Sequence, residues 1–122
     1  MGLDIEVLDK EGNVLQSWNI GPYSSYMEFR REIARQAGID LDLMDGYGYN
    51  GQVAFSEKTP LRLLLDHSDC DGDYQYDRLN LLEEELNVVL KMKLTPNHKR
   101  IAESLMEAVY LCRDEGDRIL FT

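Results

Sequence analysis

Cysteine is scarce in this chain: Cys70 and Cys112 are the only two, too few for a disulfide framework and in keeping with a reducing compartment. Both are read as thiols. No apolar run approaches the roughly 20 residues of a membrane-spanning helix. The start Met1-Gly2-Leu3-Asp4-Ile5-Glu6 has neither the basic opening nor the apolar core of a signal peptide, so a cytoplasmic protein is expected. Basic side chains are also in short supply, 13 against 23 acidic ones. The resulting formal charge of −10 repels phosphate backbones and argues against direct nucleic-acid binding, while a basic protein surface would be attracted. No repeat, linker or low-complexity segment divides the chain, and 122 residues suffice for one core without metal or disulfide support. Residues 1–122 are therefore taken as a single domain.

What is present follows two periodicities. Leu3, Ile5 and Val7 alternate with Asp4 and Glu6, the pattern of a half-buried strand. Lys10-Glu11-Gly12-Asn13 then offers a turn into Val14-Leu15-Gln16-Ser17-Trp18, which predicts a β-hairpin. After Gly21-Pro22, Ser25 and Glu28 have capping-box spacing, and Tyr26, Phe29, Ile33 and Ala37 follow at helical intervals until Gly38. Ile39 to Met44 is ambiguous, and Asp45-Gly46-Tyr47-Gly48-Tyr49-Asn50-Gly51 reads as a loop. Thr59-Pro60 predicts the start of a short helix through Leu65. Leu79, Leu82, Leu86, Val89 and Leu90 form one stripe opposite Glu83, Glu84 and Asn87, which predicts an amphipathic helix from Asp77 to about Lys91. Thr95-Pro96 begins another, with Ile101, Ala102, Leu105, Ala108, Val109 and Cys112 inward, ended by Gly116 before a strand Arg118-Ile119-Leu120-Phe121. The expected fold is α+β: the N-terminal hairpin and the C-terminal strand form a small antiparallel sheet packed against about four helices.

Between the third and fourth of these elements lies Asp66-His67-Ser68-Asp69-Cys70-Asp71-Gly72-Asp73, where the chemically active residue types concentrate. A short helix, an Asp-rich loop with a glycine and a second helix follow the order of an EF-hand. With Gly72 at the sixth loop position, His67 stands at the first, Asp69 at the third, Asp71 at the fifth and Tyr74 at the eighth. Arg78 then occupies the twelfth, where a bidentate glutamate belongs, and the first position holds no hard oxygen ligand. Starting instead at Asp69 puts Asn80 at the twelfth. Tight calcium binding is not expected; weak cation binding by Asp69, Asp71 and Asp73, with Asp77 as a further candidate, stands as an alternative. Against it, Asp and Ser side chains cap backbone amides in turns and Gly72 supplies a positive φ, which requires no ligand. A His67–Cys70 catalytic pair lacks an orienting partner, and acidic neighbours would raise the thiol pKa. No zinc set can be assembled from His67, Cys70, His98 and Cys112 at these spacings. The expectation is a protein that is not an enzyme and needs no cofactor.

The run Leu65 to Gly72, together with Met1 to Ile5, Ser24 to Phe29 and the closing Gly116 to Phe121, resembles an uncharacterised family of short bacterial and phage-encoded proteins carrying a His-Ser-Asp-Cys-Asp-Gly loop. The likeness covers most of the chain, and that loop is its specific part. It implies company in fold and no assigned activity. Members continue after the glycine with an acidic, helix-capping stretch, whereas this chain has Asp73-Tyr74-Gln75-Tyr76-Asp77-Arg78.

Tyrosine supplies the remaining signal. Tyr23, Tyr26, Tyr47, Tyr49, Tyr74 and Tyr76 mostly flank glycine or acidic loop residues, and loop tyrosines provide contact area at low entropic cost. The alternative is that several pack their rings over the core. Arg31 and Arg35, one helical turn apart, form an exposed edge near Arg30 and not a phosphate site. The functional expectation is a non-enzymatic binding protein, a bacterial or phage-type accessory or inhibitor protein that engages a host protein with a basic surface through acidic and tyrosine-bearing loops. Its contact residues would be Tyr47, Tyr49, His67, Asp69, Asp71, Asp73, Tyr74 and Tyr76. The second reading is a small-ligand or weak calcium-binding module centred on the His67 to Asp73 loop.

Overall fold

The alternation at the N-terminus becomes strand β1 (Leu3–Leu8), with Leu3, Ile5 and Val7 fully buried and Asp4 and Glu6 half-buried on the other face. This computed structural model describes residues 2–44, 47, 53–67 and 72–122. Strand β2 (Val14–Gly21) returns antiparallel through a turn in which Gly12 takes φ +84° and Asp9 Oδ1 accepts the amides of Glu11 and Asn13 at 3.0 and 2.8 Å. The hairpin is as its sequence predicts. The C-terminal strand β4 (Arg118–Phe121) pairs antiparallel on the other side of β1, with Ile5 opposite Phe121 and Val7 opposite Ile119.

A fourth strand, β3 (Asp73–Gln75), was not foreseen. It pairs antiparallel with β4, placing Tyr74 opposite Ile119, and gives the sheet order β2-β1-β4-β3. Three residues are too few to show a period of two. The strand forms because β4 offers an edge and Tyr74 a ring to bury. In the register that puts Gly72 at position six, Asp73 to Gln75 are positions seven to nine, so the chain leaves the loop as sheet and enters its helix only later.

Helix α1 (Tyr23–Gln36) buries Tyr26, Phe29, Arg30, Ile33 and Ala34. It starts earlier than the capping box implied. Pro22 is the N-cap, and Ser25 lies inside the first turn with its amide on the Pro22 carbonyl at 3.0 Å. Gly38 ends it as expected. At φ +82° it lets its own amide reach Arg35 O and that of Ile39 reach Ala34 O, at 3.1 and 2.8 Å, satisfying terminal carbonyls. The ambiguous stretch that follows holds a single 3-10 turn, Leu41–Leu43, capped by Asp40. Of the glycine-rich loop, only Tyr47 is among the described residues.

Helix α2 is one turn, Arg62–Leu65. Thr59 does not cap it. The Thr59 hydroxyl instead accepts the amide of Ser56 at 2.9 Å, and Leu61, at φ +57°, precedes the helix. After a 3-10 turn at Tyr76–Arg78 comes α3 (Leu79–Leu90), two residues later than expected, and then α4 (Pro96–Glu115), capped as foreseen by the Thr95 hydroxyl accepting the His98 amide at 3.2 Å. Gly116 stops α4 against the sheet: a Cβ there would lie 2.6 Å from Val7 Cγ1.

The architecture is α+β, with a four-stranded antiparallel sheet and helices on one of its faces. Helix α4 packs on β1 and β4, α1 on β2, and α3 on the flank of α4. One apolar cluster joins them, and in it Leu79, Leu82, Leu86 and Val89 of α3 are each at most 2% exposed. Such burial stabilises by about 1.5–3 kcal/mol per side chain. Among the described residues no helix is long and apolar enough to cross a membrane.

Candidate functional site

A single-turn helix cannot hold itself together, because nucleation fixes several residues for one hydrogen bond. Helix α2, which delivers the chain to His67, is held instead by side chains from distant elements. At its N-terminal end the Glu85 carboxylate, projecting from α3, accepts the amides of Leu63 and Leu64, both at 3.1 Å. At its C-terminal end the Tyr74 hydroxyl donates to Leu63 O at 2.6 Å, the Tyr47 hydroxyl donates to Leu65 O, and Arg30 Nη1 donates to His67 O. Three alternate carbonyls are thus taken by donors from β3, the glycine-rich segment and α1. Those of Leu63 and Leu65 are groups a helix end leaves open, and that of His67 lies two residues beyond it.

Arg30 is only 2% exposed, and its guanidinium lies 5.1 Å from the Tyr26 ring centre and 5.3 Å from that of Tyr47. Two aromatic faces and a carbonyl replace much of the water a buried cation loses. The imidazole of His67 packs against Tyr74 and Phe121, with ring centres 4.5 and 4.3 Å away. Gly72 is required beside it: φ is +98°, and a Cβ would stand 3.2 Å from His67 Cε1 and Nε2. The positive φ expected of Gly72 is therefore present, and His67 serves as packing for the loop's base.

Burial shapes the acid–base character here. Desolvation raises the Glu85 carboxyl above its usual value, against the lowering effect of the Leu63 and Leu64 amides. Burial also drives the Tyr74 phenol well above its ordinary range, with smaller contributions from Tyr26 and Glu85. Cys112 is a free buried thiol, pushed up to about 11 by burial and by Asp117. A thiol so placed is a weak nucleophile at neutral pH.

The anticipated contact residues separate on this geometry. Tyr47 and Tyr74 are 6% and 3% exposed, so their rings belong to the core and their hydroxyls to α2 carbonyls; neither is displayed to a partner. Tyr76 is exposed, and its hydroxyl donates to Arg113 O at 2.8 Å. Asp73 is exposed, with Oδ2 accepting from Gln75 Nε2 at 2.6 Å. His67 is half-buried. Tyr49, Asp69, Cys70 and Asp71 lie outside the described residues. Among the described residues no three potential metal ligands converge.

Two residues central to this arrangement escaped the sequence reading. Arg30 was grouped with the exposed Arg31 and Arg35, yet it follows Tyr26 by four and precedes Ile33 by three, which is the buried stripe. Glu85 likewise follows Leu82 by three and precedes Val89 by four. Spacing could have found both; a charged side chain on a core stripe is the signal.

A second feature is a surface. The groove between α3 and the Glu57–Arg62 turn measures about 540 Å³; its apolar lining is Pro60, Leu61, Leu81, Val88 and Met92, its charged lining Glu57, Lys58, Arg62, Glu84 and Glu85, with Gln36 and Ala37 at the end of α1 also bordering it. A second depression that shares Lys58, Thr59 and Pro60 with it is lined by Leu43 and Val53 among others. Leu43, Val53, Leu81 and Val88 are 46%, 52%, 38% and 53% exposed, so half of the chain's large exposed apolar side chains described here flank this one turn. Scattered apolar residues are ordinary on surfaces, whereas contiguous ones mark contact sites. Comparison of the chain with protein-family models, with curated proteins and with solved structures gives no match.

Proposed function

We propose that this chain is a non-enzymatic binding protein, of the accessory or inhibitor type found in bacteria and phage, that engages a host protein carrying a basic surface. The observation that supports it is the exposed apolar surface around Pro60, formed by Leu43, Val53, Leu81 and Val88 on a chain of net charge −10. Apolar area supplies affinity and the acidic field speeds encounter with a basic partner. The reading shifts the weight of contact from the tyrosine-bearing loops toward this face, since Tyr47 and Tyr74 are committed to the core; Tyr76 remains available at the surface.

The test is recovery of a partner from bacterial lysates with immobilised protein, followed by affinity measurement across salt concentrations. A stoichiometric partner is expected whose association slows and weakens as salt rises. Absence of any stoichiometric partner, or one indifferent to salt, would overturn the reading.

A further inference from the structure

We draw no further inference here: the strongest candidate, the groove between α3 and the Glu57–Arg62 turn, is an unpartnered apolar face whose Glu57 and Glu84 are matched on its own rim by Lys58 and Arg62, so nothing in the structure shows what covers it.

Discussion

Glu85, in the middle of α3, accepts the backbone amide of Leu64 at 3.1 Å, and that of Leu63 at the same distance. One carboxylate thus does for α2 what a local cap does for a longer helix. Glu85→Ala leaves two buried amides without an acceptor and is expected to destabilise by roughly 1–3 kcal/mol. Glu85→Gln, which keeps one acceptor oxygen, should lose less. Urea titration of the three proteins reads the difference; equal midpoints for Glu85→Ala and the parent would show that the contact contributes nothing.

The same residue makes stability depend on pH. Its carboxyl is raised above the ordinary 4.5 by burial, so the folded chain holds a proton that the unfolded chain has released. The contribution of Glu85 to stability is then greatest below the unfolded value and declines as pH rises through the folded one, the slope following the protons bound in each state. This decline above 4.5 should be reduced in Glu85→Gln relative to the parent. Thermal denaturation across mildly acidic pH measures it, and parallel curves for the two proteins would contradict it.

Gly72 and His67 are coupled by contact. Gly72→Ala forces a side chain into φ +98° and 3.2 Å from the imidazole, and should cost about 1–3 kcal/mol. Combining it with His67→Ala removes the clash but not the backbone strain, so the double variant should be more stable than the two single losses add up to. A strictly additive double-mutant cycle would mean that the two do not meet.

Arg30 is held by rings and a carbonyl, not by its charge alone. Arg30→Lys keeps the charge but loses the planar group over Tyr26 and Tyr47, and should destabilise by about 1–3 kcal/mol, much as Arg30→Met does. The ring signals of both tyrosines should move in the NMR spectrum. Full rescue by lysine would show that charge is what matters.

Cys112, buried with its pKa near 11, should resist thiol reagents in the folded state. In a Cys70→Ser background, labelling at neutral pH should be slow in buffer and rapid in denaturant. Fast labelling of the folded variant would place Cys112 nearer the surface than found.

The elements legible in the sequence were those whose signal is local and repeated. β1, the body of α1, and α3 and α4 each carry several apolar residues at one period, and Thr95 and Gly38 mark boundaries by their own backbone chemistry. The pairing of β4 with β1 was accessible because a lone apolar strand must find an edge. Where prediction slipped, the deciding partner lay far along the chain. Thr59-Pro60 has the form of a helix start, but the amides of α2 belong to Glu85. Asp73 to Gln75 has the composition of a turn, but β4 draws it into the sheet. Tyr47, flanked by glycine and polar residues, gave no local sign of being core, and for Tyr74 the one sign was the eighth loop position, where an apolar residue pairs across the loop.

The amino-acid order alone thus determined the α+β class, the acidic field and the stripes that build the core, since these depend on neighbours within a few residues. Only the tertiary structure decided the fate of the polar side chains. Whether Arg30, Glu85, Tyr47 and Tyr74 met water, a partner or a backbone group between Leu63 and His67 depended on which elements came together, and burial allowed them no unpaired choice. Leu81 and Val88 of α3 were likewise present in the sequence, but only packing showed that α4 covers another part of that helix and leaves these two side chains exposed.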